Sequence, residues 1–159
     1  MPNNDVDPVY KAVDGGFVAD PGSTKISVGW SLALAAASLF LGVVLWLAYH
    51  NQLPVQWLQR IPRYDKLGHF VLIGGAAWLA YRASGRRMVR LGRASVPLGP
   101  VVVLAVAFVE EGFQILSPHR SFSVSDLAAN VLGAAFWVGL DMWWARRSAM
   151  PPVQEDPEA

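Results

Sequence analysis

Four ionisable side chains of this 159-residue chain stand at spacings that could support catalysis or metal binding. Asp65 and His69 are four residues apart, which places them on one face of a helix. Glu110 and Glu111 are adjacent carboxylates in an apolar stretch. A carboxylate and a histidine can act as general acid and base. With Glu111 as a third ligand, the pair could instead bind a divalent metal with an open water position. The candidate catalytic residues are therefore Asp65, His69 and Glu111.

Other polar residues accompany these candidates and form a candidate binding set. Its members are the side chains of Lys66, Glu110, Gln114, Arg120, Asp126 and Asn130. Structural roles remain open for some of them. Asp65 could cap a helix, and Asp126 could form a capping box with Ser123. Asn130 and Gln114 could form hydrogen bonds between helices.

Known catalytic signatures are missing from the chain. It contains neither H-E-x-x-H nor G-x-S-x-G, and it has no cysteine that could supply a thiolate ligand. No cofactor is predicted, and no metal is assigned at this point. Whether the chain is an enzyme is left open by the sequence.

The composition indicates the elements that position these residues. Hydrophobic residues make up 53% of the chain and charged residues only 16%, whereas soluble domains carry about 25% charged residues. A net charge of +1 argues against nucleic-acid binding. About 20 mostly apolar residues suffice for a spanning helix. The chain has four such segments, at about 26–49, 65–82, 96–117 and 125–145. We predict an all-α, polytopic membrane protein with a bundle of four transmembrane helices.

The remaining segments are polar or mixed. Residues 1–25 hold four aspartates with several prolines and glycines and are predicted to form a disordered cytoplasmic tail. Residues 26–147 form the predicted transmembrane domain, and residues 148–159 a second polar cytoplasmic tail. Between the first two spans, residues 51–61 fit either a short amphipathic helix in the membrane interface or an ordinary loop.

The distribution of Lys and Arg predicts the orientation. Five arginines lie at the end of the second span and in the connection to the third, and positive residues favour the cytoplasmic side. Both termini are therefore expected in the cytoplasm, with the protein in the inner membrane. The polar candidates then all fall at the outer ends of the last three helices. We expect one polar pocket between these helices, open to the outer face. Asp141 lies near the inner end and is expected to pair with Arg146 or to lie at the interface.

The same residues, in this order, resemble the VanZ-like family of small bacterial membrane proteins. The similarity begins with Asp65-Lys66-Leu67-Gly68-His69-Phe70 and continues through Glu111-Gly112-Phe113-Gln114. It ends with Arg120, Asp126, Asn130 and Gly133, spaced as R-x5-D-x3-N-x2-G, and covers about residues 65–145. The family takes its name from a glycopeptide-resistance cluster, where a member is associated with low-level teicoplanin resistance. The resemblance implies no particular reaction.

Three functions compete at this stage. The first is binding or handling of an anionic lipid, a lipid-linked envelope precursor or a lipoglycopeptide, because the cations and helix N-termini of the pocket suit an anionic headgroup. The second is a membrane-embedded hydrolase that acts on a lipid or an envelope amphiphile, with or without a metal. The third is a polar network that only fixes helix register. Membrane lipids are the expected partners, nucleic acids are not, and the oligomeric state is left open.

Overall fold

The computed structural model describes residues 27–53, 60–117 and 122–148. These ranges form four helices and one β-hairpin. Helix α1 is Val28–Tyr49, and α2 runs without interruption through Tyr64–Gly68, a π-helical turn His69–Ile73, and Gly74–Ala83. The hairpin pairs β1, Met88–Leu91, with β2, Ala94–Pro97. Helix α3 is Leu98–Phe113 and ends in a 3₁₀ turn, Gln114–Leu116, and α4 is Val124–Ser148.

The mostly helical fold confirms that the chain is predominantly α-helical, and each of the four described helices corresponds to one predicted segment. Two of the helices in the described ranges have the length and composition to cross a membrane. They are Val28–Tyr49, with a mean hydropathy of 2.2, and Leu98–Leu116, with a mean hydropathy of 1.6. Several predictions lie outside the described residues. They concern the tails at 1–25 and 149–159, most of the proposed interfacial segment at 51–61, and Arg120.

Helix α2 is the centre of the fold, because it packs against α1, α3 and α4. Small residues allow the close approach. A Cβ on Gly74 would lie 2.6 Å from the backbone of Gly133 in α4, and one on Gly133 would collide with the carbonyl of Phe70. On another side of α2, a Cβ on Gly99 of α3 would collide with the backbone of Ala80. The glycines therefore set the helix separations at several points along α2.

The outer surface of the bundle is strongly apolar. Large hydrophobic side chains are exposed along α1, α3 and α4, for example Phe40, Phe108 and Phe136. Water-soluble monomers seldom expose contiguous apolar surface on this scale. The core of the described residues, in contrast, consists mostly of alanines, with Tyr81 and Val138; four of the alanines lie on α2.

The β-hairpin between α2 and α3 was not predicted from the sequence. Gly85 and Arg86 have positive φ angles and end α2, and Gly92 has a φ of 63° in the two-residue turn between Leu91 and Ala94. A glycine at the first position of such a turn suits a tight hairpin. The hairpin returns the chain to the bundle, so α2 and α3 run in opposite directions. The start of α2, the end of α3 and the start of α4 consequently lie at the opposite end from the hairpin.

Candidate functional site

Polar side chains from three helices meet at the end of the bundle opposite the hairpin. The meeting point, called the polar site below, comprises Lys66, His69, Glu111, Gln114, Asp126 and Asn130. Four of these residues are almost inaccessible. Their exposed fractions are 0% for Glu111, 1% for Gln114, 7% for Asp126 and 2% for Asn130. The predicted convergence of helices two, three and four is therefore present in the fold.

His69 begins the π-helical turn of α2, and both of its ring nitrogens face α4. Nδ1 lies 3.1 Å from Oδ1 of Asn130, and Nε2 lies 3.6 Å from Oδ2 of Asp126. An amide oxygen can only accept a hydrogen bond, so Nδ1 is the donor. A π-helical turn inside an α-helix is rare and often marks a functional position. The hydrogen bond from Nδ1 fixes the ring so that Nε2 points toward the two buried carboxylates.

Asp126 links α4 to the first turn of α2. Its Oδ1 accepts a hydrogen bond from Nζ of Lys66 at 3.2 Å, and Lys66 also contacts Asp65 at 3.1 Å. The capping-box interpretation of Asp126 is wrong, because its side chain does not contact the backbone N–H of Ser123. That N–H instead donates to Oε1 of Glu111 at 2.7 Å.

Glu111 accepts hydrogen bonds from two donors, one just before α4 and one at the end of its own helix. Oε1 accepts from the backbone of Ser123, and Oε2 accepts from Nε2 of Gln114 at 3.0 Å. The same carboxylate thus caps α4 from a different helix and orients the end of α3. Because α4 begins at Val124, the unpaired N–H at its start needs an acceptor, and Glu111 supplies it.

Glu110 turns away from this centre toward α1. The hydroxyl of Tyr49 donates to its Oε1 at 3.3 Å, and Nε2 of Gln114 donates to its Oε2 at 2.9 Å. Two adjacent carboxylates therefore have different surroundings. Glu110 is half-buried at the side of the bundle, whereas Glu111 is fully enclosed.

Asp65 lies at the rim of the polar site. Its side chain is 48% exposed and pairs with the neighbouring Lys66. It does not cap α2, whose N-cap residue is Arg63. Within the described part of the chain, His69, Glu111 and Asp126 form a group whose potential metal-binding atoms all lie within 4.8 Å of one another. In this group Asp126 takes the place that the spacing of the sequence suggested for Asp65.

A second charged cluster lies at the hairpin end of the bundle. Arg82 and Arg86 donate to the two oxygens of Asp141, each at 3.1 Å. The guanidinium of Arg82 also lies 4.5 Å from the ring centre of Trp30 in α1. Asp141 therefore joins α4 to the end of α2 instead of pairing with Arg146.

No protein-family model, curated protein or solved structure matches this chain. The resemblance to the VanZ-like family therefore rests on the motifs alone and stays a prediction. The polar site has to be interpreted from its own chemistry. It offers one imidazole nitrogen, two buried carboxylates and one ammonium group, all at one end of an apolar bundle.

Proposed function

We propose that this chain is a VanZ-like, multi-pass protein of the bacterial inner membrane in which all four helices cross the bilayer. The composition of α1 and α3 supports two of the crossings. Helix α4 has 25 residues, enough for a bilayer core about 30 Å thick at about 1.5 Å per residue. Helix α2 is covered by the other three and can therefore tolerate charged ends. Exposed Val131, Leu132 and Phe136 on α4 suit contact with lipid.

The proposed orientation places the hairpin in the cytoplasm and the polar site at the outer leaflet. Arg87, Arg90 and Arg93 lie on or beside the hairpin, and positive residues favour the cytoplasmic side. Both termini then lie in the cytoplasm.

Cysteine labelling tests the orientation, because the natural chain has no cysteine. A Ser95→Cys protein carries its thiol on β2, and an Asn51→Cys protein carries it just after α1. In intact spheroplasts, a membrane-impermeant maleimide is expected to label Asn51→Cys at least about tenfold more than Ser95→Cys, since a bilayer separates the two thiols. After lysis both should react. Equal labelling before lysis would contradict the orientation.

We further propose that the polar site binds an anionic lipid, a lipid-linked envelope precursor or a lipoglycopeptide through a negatively charged group of that molecule. The observation that carries this proposal is the convergence of buried polar groups from three helices at one end of an apolar bundle. Such groups are costly in a membrane unless they face one another or a functional cavity. Lys66, with its side chain about one-third exposed at the rim, can donate a charge-assisted hydrogen bond to a headgroup. Arg120 is the second cation expected from the sequence.

Lipid retention tests this proposal. Purified protein is placed in nanodiscs of phosphatidylcholine and phosphatidylglycerol. Native mass spectrometry then counts the phosphatidylglycerol molecules that stay bound to each chain when the nanodisc is removed. We expect Lys66→Gln and Arg120→Ala each to reduce retention about tenfold, since a hydrogen bond to a charged group contributes about 1.5–3 kcal/mol. The matched control is Arg93→Gln, which removes one exposed cation from the opposite end. Wild-type retention by the Arg120→Ala protein would overturn the role of that residue.

The alternative function is a membrane-embedded hydrolase, and one observation favours it. His69, Asp126 and Glu111 bring a histidine and two carboxylates together in an enclosed space, as general acid–base chemistry requires. The same experiment distinguishes the two functions, because a hydrolase would convert bound lipid into a product of lower mass.

A role in teicoplanin resistance rests on the family resemblance alone.

A further inference from the structure

The three donor atoms of His69, Glu111 and Asp126 lie close enough to share one ion. They come from three different helices, and all of them lie within 4.8 Å of one another. Nε2 of His69 and Oδ2 of Asp126 are 3.6 Å apart, which is too long for a hydrogen bond. An ion about 2.1 Å from each atom would join them at an angle of roughly 120°. The spacing therefore suits a bridging cation.

The hydrogen bond of His69 to Asn130 orients the ring for binding a cation. Because Nδ1 donates to the amide oxygen, Nε2 is the ring nitrogen that can bind a metal ion. Nε2 also faces the carboxylate of Asp126. A metal ion between the two atoms would have both as ligands.

The charge of Glu111 points the same way. This carboxylate is completely buried, and its two partners, Ser123 and Gln114, are neutral donors. Among the residues that the structure describes, none forms an ion pair with Glu111. A buried carboxylate is stabilised by a positive partner. A bound divalent cation would neutralise Glu111 together with Asp126.

Each donor residue is also oriented by a second group, as is usual for metal ligands. Asn130 holds the ring of His69, Gln114 holds Glu111, and Lys66 holds the other oxygen of Asp126. With these partners in place, Nε2 of His69 and Oδ2 of Asp126 face each other across the position where an ion would bind.

We propose that His69, Glu111 and Asp126 bind a divalent transition-metal ion, with Zn²⁺ as the best chemical match. One imidazole and two carboxylates form a three-residue set of the type that zinc uses when a fourth position stays open for water or substrate. Mg²⁺ and Ca²⁺ prefer ligand sets made of oxygen alone. This inference concerns the same site as the proposed function but does not depend on lipid binding.

Metal content tests the proposal without any lipid readout. Tag-free protein in detergent is stripped with a chelator and dialysed against Zn²⁺, and bound zinc per chain is measured by mass spectrometry. We expect one ion per wild-type chain. Asp126→Asn and His69→Gln each remove a proposed ligand and should weaken zinc binding more than about 100-fold. Asn130→Ala removes only the residue that orients His69, and it should weaken zinc binding by about 10- to 100-fold.

Asp65→Asn is the matched control, because it removes an aspartate from the rim and leaves the three donors in place. It should bind zinc as wild type does. His50→Ala controls for binding to a histidine outside the site. If the ligand variants do not fold, wild-type protein loaded with Co²⁺ still reports on the site through the visible spectrum of a low-coordinate complex with nitrogen and oxygen ligands. Wild-type zinc content well below one ion per chain, or equal losses in Asp65→Asn and Asp126→Asn, would overturn the proposal.

Discussion

A Glu111→Ala protein is expected to lose about 3–5 kcal/mol of unfolding free energy, because the substitution removes the acceptor of the Ser123 N–H and leaves a cavity at a fully buried position. The backbone N–H of Ser123 and the amide of Gln114 both donate to this carboxylate. The N–H of Ser123 without an acceptor costs about 1–3 kcal/mol, the cavity adds about 2 kcal/mol or more, and Gln114 keeps its hydrogen bond to Glu110. Unfolding by SDS in mixed micelles measures the change. Metal-free buffer separates this effect from any loss of bound ion.

Glu110→Ala provides the matched comparison for this prediction. It removes the same side chain one position earlier, where the carboxylate is only half-buried and its donors come from Tyr49 and Gln114. We expect a loss below about 1.5 kcal/mol, the range of an ordinary hydrogen bond. Equal losses at the two positions would show that Glu111 is not the acceptor on which the start of α4 depends.

An Asp141→Ala protein should be destabilised by about 2–4 kcal/mol, because it leaves two arginines facing each other without a shared acceptor. The side chains of Arg82 and Arg86 are 26% and 22% exposed, so water offsets part of the cost that a fully buried pair would show. The same SDS titration measures the effect. The double variant Asp141→Ala/Arg86→Gln should regain part of the lost unfolding free energy, since it no longer has the repulsion between Arg82 and Arg86.

Arg146→Ala is the control at the hairpin end, because this exposed arginine is the partner that the sequence suggested for Asp141. Its effect should stay within about 0.5 kcal/mol, as at most surface positions. A loss at Arg146 as large as the loss at Asp141 would contradict the pairing seen in the structure.

The helices could be predicted from the sequence because their signal is local. Long apolar runs bounded by Pro, Gly and charged residues specify a helix whatever packs against it. The hairpin was not predicted, because its two strands are only four residues long and their sequence, with Arg90 and Ser95, shows weak alternation. Its detectable signal was the turn at Gly92-Arg93, a Gly-X pair between two short runs.

Most residues of the polar site could also be predicted from the sequence, whereas the contacts that these residues make between helices could not. Ionisable groups such as His69 and Glu111 are costly inside an apolar helix, so their presence alone marks a site. Spacing indicates which residues share a face of one helix, but it does not give the rotation of that helix against its neighbours. For that reason Asp65 was grouped with His69, although the structure brings Asp126 from α4 to the imidazole.

The start of α4 shows how a contact between helices replaces a local one. The sequence around Ser123 fits a local capping box with Asp126, and a local rule can propose nothing else. In the structure, the acceptor for Ser123 comes from Glu111 on the preceding helix. This exchange leaves Asp126 available to Lys66 and His69. The polar site therefore exists because a local interaction was replaced by one between helices.

The sorting of charge between the two ends of the bundle makes the molecule an electric dipole along its axis. In the described ranges, the hairpin end carries seven arginines and only Asp141, whereas the other end carries four carboxylates against three cations. In the proposed orientation, a membrane potential that is negative inside attracts the arginine-rich end toward the cytoplasm. The potential contributes about 2.3 kcal/mol per elementary charge for each 100 mV. The resting potential of the cell would therefore oppose inversion of the folded protein, in addition to the cost of moving the arginines through lipid.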